Sequence, residues 1–352
     1  MRVLHVASEV VPLVKTGGLA DVSGALPTAQ RRLGVDARLL VPGYPPVMEK
    51  LSALSLLHKE VITVGPAFGA ASIRLLSATL PGTDLPLFVL DAPWLYQRAG
   101  DLYTDPAGQA WSDNHLRFGL LGWIAAQITA GHLVPKWAPD VLHCHDWHAG
   151  LAPAYLAQHP IRSAKQVFTI HNLAFQGLFS TSTASSLMLS DTLISPEYLE
   201  FHSHLSFIKA GLVFADHVTT VSPTYAQEIL RPENGQGLDG LLRHRSEYLV
   251  GVLNGIDMDV WDPSTDSTLD AQYSLKTFKE KTKNRRALQA DFGLPEGDAG
   301  SPVFAVVSRL SAQKGLDVLI DQMPAALQHG CQFVVLGTGD ASIESALMDL
   351  AN

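Results

Sequence analysis

The sequence predicts an α/β protein built from two Rossmann-like, doubly wound domains, the second of them incomplete. Three observations carry this. Short β-branched apolar runs alternate with helical segments along the chain, the pattern of parallel strands covered on both faces. A glycine-rich turn with a lysine, KTGGLADV (15–22), follows the first strand, and an Arg/Lys pair in VSRLSAQKG (307–315) follows a strand near the other end. At 352 residues the chain also exceeds one ordinary core. We place the domains at 1–247 and 248–352. Between them runs a hinge-like crossing through Asn254, Gly255, Ile256 and Asp257, where glycine takes φ values closed to other residues.

The strands of the first domain are RVLHVA, ARLLVP, PLFVLDA, VLHCHD, QVFTIHN and HVTTVS, each ending near a polar or glycine-containing turn. Helices are expected after Asp21 and over residues 116–130, with a Ser-Pro entry at SPTYAQEIL. The second domain starts at YLVGVLNG (248–255), followed by VFAVVSR and QFVVLGTGD, and the chain ends inside the helical pattern ESALMDLAN. Three strand candidates fall short of the five or six of a doubly wound sheet. A truncated product or fragment is therefore expected.

Composition narrows the function. A formal charge of −9 supplies no broad cationic surface for nucleic acid. Cys144 and Cys331 are far apart and fit neither a disulfide framework nor a zinc site, which suits a reducing cytoplasm. The N-terminus enters a strand at once without a signal-peptide pattern. The apolar stretch LLGWIAAQITAGHLV (120–134) is too short to span a bilayer and reads as a buried helix, so no membrane association is expected.

Four segments can carry chemistry. In KTGGLADV, Gly17 and Gly18 let backbone N–H groups approach an anion at a helix N-terminus, with Lys15 as a mobile charge; a tight strand-to-helix turn is the plain alternative. Asp21 reads equally as a helix-capping carboxylate. The turn lacks the spacing of a dinucleotide fingerprint or of a P-loop, which leaves a dehydrogenase as the weakest choice. HCHDWHAG (143–150) invites a metal reading, but His143 and His145 share one strand face while Asp146 points away, and no further ligand closes a shell. Recognition of sugar hydroxyls by His145 and Asp146 suits a strand's C-terminal end better, with Trp147 as a sugar platform or a core aromatic. HNLAFQG (171–177) ends the next strand with His, Asn and Gln, all suited to hydroxyls. Arg309 and Lys314 precede the helix LDVLIDQM and suit a diphosphate leaving group; a solvated surface pair is the alternative. These residues are what two domains closing on one phosphorylated ligand from opposite sides would require.

In order, KTGGLADV, VPGYP, LYTDPAGQAWSDNHLRF, HCHDWHAG, HNLAFQG, FIKAGLVFADHVTTVSPTYAQEI, GLDGLL, GVLNGIDMDVWDP and VSRLSAQKGLD resemble bacterial glycogen synthases and plant starch synthases. The resemblance runs from residue 1 to about 340. It implies a GT-B fold, with 1–247 as the starch synthase catalytic domain on the acceptor side and 248–352 on the nucleotide-sugar side. It further implies transfer of glucose from ADP-glucose to the non-reducing end of an α-1,4-glucan, with retention and with neither a metal nor a cofactor.

By the same resemblance Asp21, His171, Arg309 and Lys314 are catalytic. Lys15, Gly17, Gly18, His145, Asp146, Asn172 and Asn254 bind substrate, with His171 and Asn172 contacting the transferred glucose. Two departures stand out. Cys144 replaces a small apolar residue, and the family's later Glu-Pro-Cys-Gly and Thr-Gly-Gly-Leu-type segments are absent, so little synthase activity is expected of this chain. A UDP-glucose-using relative and a non-catalytic glucan-binding fragment remain the alternatives.

Overall fold

The structure, a computed structural model, describes residues 1–159, 164–296 and 301–351. It divides into two compact units, Met1–Gly255 and Ile256–Asn352.

The first unit is organised by a nine-stranded sheet. Its strands are β1 (Arg2–Val6), β2 (Asp36–Pro42), β3 (Leu57–Val64), β4 (Ile73–Thr79), β5 (Pro86–Asp91), β6 (Val141–His145) and β7 (Lys165–Ile170). Three short strands follow outside it, β8 (Leu178–Ser180), β9 (Glu200–Phe201) and β10 (His204–Ser206), and then β11 (His217–Thr220) and β12 (Leu249–Gly251) rejoin it. The spatial order is β12-β11-β7-β6-β1-β2-β5-β4-β3. Pairing is parallel from β12 to β5, and β4 and β3 add an antiparallel edge.

The central strands bury both faces. Leu4, Val6, Leu39, Leu40, Val89, Leu142, Cys144, Phe168 and Ile170 belong to one continuous core. Helix Asn114–Thr129 is buried along most of its length, as its apolar sequence predicts. Among the described residues no helix is long and apolar enough to cross a membrane.

Two differences from the sequence reading have physical reasons. YLVGVLNG belongs to the first unit, because Leu249, Val250 and Gly251 pair with Val218, Thr219 and Thr220 of β11. The division therefore falls between Gly255 and Ile256 instead of between 247 and 248. The β3–β4 hairpin went unread because β3 is mostly exposed or half-exposed and carries His58, Lys59 and Glu60 at consecutive positions, which hides any apolar period.

The second unit contains β13 (Val303–Val307) and β14 (Gln332–Leu336), paired in parallel, with helices Lys281–Asp291, Leu316–Gln328 and Ala341–Ala351. Its buried cluster is small: Leu310, Leu316 and Ile343.

Candidate functional site

The chain leaves β1 toward β2 on one side and leaves β6 toward β7 on the other, while β1 and β6 are themselves neighbours. Their carboxyl ends therefore diverge and open a crevice at a topological switch point. The residues ending β1, β6 and β7 all arrive there.

Asp146 follows β6 directly, with a positive φ (φ +55°, ψ −177°) rare for a residue with a side chain. Its own N–H donates to the Thr169 carbonyl of β7 at 2.9 Å. Its Oδ1 accepts from the backbone N–H groups of His171 at 2.7 Å and Asn172 at 3.3 Å. The carboxylate thus ties the loop after β7 to the end of β6. Burial pushes its pKa up to about 7, against the two N–H donors that favour the charged form.

His5, His143 and His145 share one face of the sheet, since His5 stands in register with His143 and side chains alternate along a strand. His5 Nε2 lies 2.8 Å from Gln30 Oε1 and His5 Nδ1 lies 3.1 Å from His145 Nε2. His145 Nδ1 in turn lies 3.0 Å from His171 Nε2. Candidate ligand atoms of His5, His143 and His145 come within 4.8 Å of one another, whereas tetrahedral zinc at about 2.0–2.1 Å holds its nitrogens about 3.4 Å apart. Both nitrogens of His5 and of His145 already face other partners, and the rings of His143 and His145 stack with centroids 4.3 Å apart. This is a hydrogen-bonded chain of imidazoles. Burial keeps all of them neutral near pH 7, His5 and His171 at about 4 and His143 and His145 well below their ordinary value.

The KTGG turn has a partner that the sequence reading missed. Glu9, just past β1, is 3% exposed and accepts from the Thr16 N–H at 2.5 Å, the Thr16 hydroxyl at 3.0 Å and the Gly17 N–H at 3.3 Å. The Gly17 amide is therefore directed at Glu9. Burial raises the Glu9 pKa despite these donors. A Cβ on Gly17 or Gly18 would meet nothing within 4 Å, so no protein neighbour demands glycine there. Gly17 is the N-cap of helix Gly18–Arg32, which corrects the capping reading of Asp21. Asp21 instead sits in the first turn, paired with Lys15 Nζ at 2.8 Å, both side chains about half exposed.

A cavity of about 470 Å³ adjoins the HNLAFQG loop, lined by Trp147, Ala174, Phe175, Gln176, Gly177, Leu178, Phe201 and Gln236. Trp147 also packs on Phe118, Phe179 and Phe207, so it is both core aromatic and pocket wall. Gly177 has φ +61°, and a Cβ there would lie 2.3 Å from the Trp147 ring. Gln176 donates to the Gln236 carbonyl at 2.8 Å, while its buried Oε1 has no hydrogen-bond partner among the described residues.

In the second unit, Arg309 and Lys314 lie exposed between the end of β13 and helix Leu316–Gln328. Asn254 is exposed in the segment after β12. The structure thus joins His145, Asp146, His171 and Asn172 directly, and adds His5, Glu9 and Gln30. The available signal was a lone histidine in an otherwise apolar strand and a lone glutamate at its end.

A family model described as the starch synthase catalytic domain matches residues 2–244. The chain is 48% identical to a glycogen synthase of Francisella philomiragia and 49% identical to one of Serratia proteamaculans, covering 100% of this chain and 72% of each relative. Among solved structures, the catalytic domain of starch synthase IV from Arabidopsis thaliana, bound to ADP and acarbose, aligns with a TM-score of 0.87 at 28% identity. That alignment covers 99% of this chain and 71% of the plant one. The fold is accordingly the GT-B type of that enzyme, and the chain belongs to the family of glycogen and starch synthases.

Proposed function

We propose that the activity this chain serves is transfer of glucose from ADP-glucose to the non-reducing end of an α-1,4-glucan with the anomeric configuration retained. The observation that carries the reading is the meeting of His145, Asp146, His171 and Asn172 at the β1/β6 crevice, beside an aromatic-walled pocket. In this reading His171 and Asn172 contact the transferred glucose, held in place by Asp146. The pocket at Trp147, with the unpartnered oxygen of Gln176, accepts the glucan.

Breaking the bond from C1 to the phosphate oxygen leaves negative charge on ADP. Arg309, Lys314, Lys15 and the helix N-terminus at Gly18 are the groups this reading assigns to that charge. Asp21 orients Lys15 through their ion pair. Asn254 adds a donor and an acceptor for substrate. Cys144 and Cys331 are free thiols, which suits a cytoplasmic enzyme.

The relative bound to ADP and acarbose supports both ligand classes. The test is a calorimetric titration of the 352-residue chain with ADP-glucose and with UDP-glucose, together with radiolabelled glucose incorporation into glycogen. ADP-glucose binding that Lys15→Ala and Arg309→Ala each weaken at least tenfold is expected. Glucan binding that survives the double replacement, with no nucleotide binding at all, would instead support a non-catalytic glucan-binding protein.

A further inference from the structure

We propose that Gln30 and His5, acting through His145, fix which ring nitrogen of His171 carries its proton, and that both are positioning residues for the sugar-facing imidazole. The argument is one of donors and acceptors. Gln30, near the end of helix Gly18–Arg32, presents Oε1 to His5 Nε2 at 2.8 Å. An amide oxygen only accepts, so His5 Nε2 must carry the hydrogen. A neutral imidazole carries one, which leaves His5 Nδ1 bare. His145 Nε2, 3.1 Å away, must then donate, leaving His145 Nδ1 bare to accept from His171 Nε2 at 3.0 Å. His171 Nδ1 is thereby left as a lone pair, and no hydrogen bond occupies it among the described residues.

One amide thus sets the sense of three consecutive hydrogen bonds. Reversing it would require all three rings to change tautomer together, or would bring two N–H groups or two lone pairs face to face in a buried site. Burial supports the neutral premise: His5 and His145 are 0% exposed. The ionisable groups around the chain are His143, tilted against His5 and stacked on His145, His148, which faces His171, and Asp146 with Glu9 beyond it. His143 stands on a separate branch, its Nε2 2.7 Å from the Thr169 hydroxyl, so it does not compete for the relay nitrogens.

For the chemistry the consequence is directional. With Nδ1 bare, His171 accepts a hydrogen bond from a sugar hydroxyl; with the relay reversed it would donate one. This consequence rests on the proposed reading of His171 as facing glucose, but the relay itself does not, and the experiment separates them.

Long-range 1H–15N NMR on the 352-residue chain labelled with 15N-histidine reports the tautomer directly, with the His171 resonances identified by their loss in His171→Gln. In the unsubstituted protein His171 is expected to carry its proton on Nε2. Gln30→Met removes the acceptor, and an Nδ1–H form of His171 should rise from undetectable to readily observed. Gln30→Lys presents only donors, and that form should become predominant. An Nδ1–H tautomer in the unsubstituted protein overturns the proposal, and needs no variant to fold. A His171 tautomer unmoved in folded Gln30→Met or Gln30→Lys overturns it as well. If the tautomer reverses while binding of ADP-glucose is unchanged, the relay stands and the sugar-facing reading of His171 fails.

Discussion

Asp146 Oδ1 lies 2.7 Å from the backbone nitrogen of His171, joining the ends of two adjacent parallel strands, β6 and β7, beside the crevice. The bond explains how an aspartate holds a backbone position (φ +55°, ψ −177°) that strains any residue with a side chain: its oxygen gathers two loop amides at once. Asp146→Asn should therefore keep the fold, while Asp146→Ala, which leaves two partly buried N–H groups without their acceptor, should cost about 1–3 kcal/mol. Urea unfolding of both variants checks this.

Stability should fall on acidification from pH 7 toward pH 4. His5 and His171 are depressed to about 4 from 6.5, and His143, His145 and His148 are lowered as well. A base with a depressed folded pKa is protonated first in the unfolded chain. Its contribution is complete above about 6.5 and is lost as pH falls toward the folded value. Asp146, raised to about 7 from 3.8, works the other way, as does Glu9, because each favours the folded state when protonated. Five histidines outweigh two carboxyls. A urea midpoint that rises between pH 7 and pH 5 would reverse this conclusion.

Gly177→Ala should be strongly destabilising and Gly17→Ala should not. At Gly177 the new Cβ would sit 2.3 Å from the Trp147 ring in a left-handed backbone position, and such strain costs about 1–3 kcal/mol before any clash is relieved. At Gly17 the φ of −159° is ordinary extended backbone and nothing lies within 4 Å of the added atom. A thermal shift below about 2 °C is expected there, together with weaker ADP-glucose binding if the turn approaches the donor.

Lys15→Ala should likewise separate binding from folding. Its ion pair with Asp21 is half exposed, and such pairs contribute about 0–1 kcal/mol. The melting temperature should hardly move while affinity for ADP-glucose falls. A large drop in stability would assign Lys15 a structural role instead.

Glu9→Ala should loosen the turn that Lys15 and Gly18 occupy. The buried carboxylate gathers two backbone amides and one hydroxyl, and losing such bonds costs about 1–3 kcal/mol. Faster amide exchange at Thr16 and Gly17, measured by NMR, is the expected signature.

The sequence by itself determined the parallel sheet, because strands buried on both faces read as short β-branched runs without strict polar alternation, as RVLHVA, QVFTI and HVTTV do. It also determined where polar side chains collect, since β6 and β7 run directly into His145-Asp146 and His171-Asn172. Only the tertiary structure decided who meets whom. A strand's apolar pattern does not name its neighbour, and so Leu249–Gly251 joined the first sheet and His5 came into register with His143. Glu9 could not be read as the acceptor for the KTGG turn, nor Gln30 as the end of an imidazole chain. A hydrogen bond depends on angstrom distances between elements far apart in sequence, and no local periodicity encodes those.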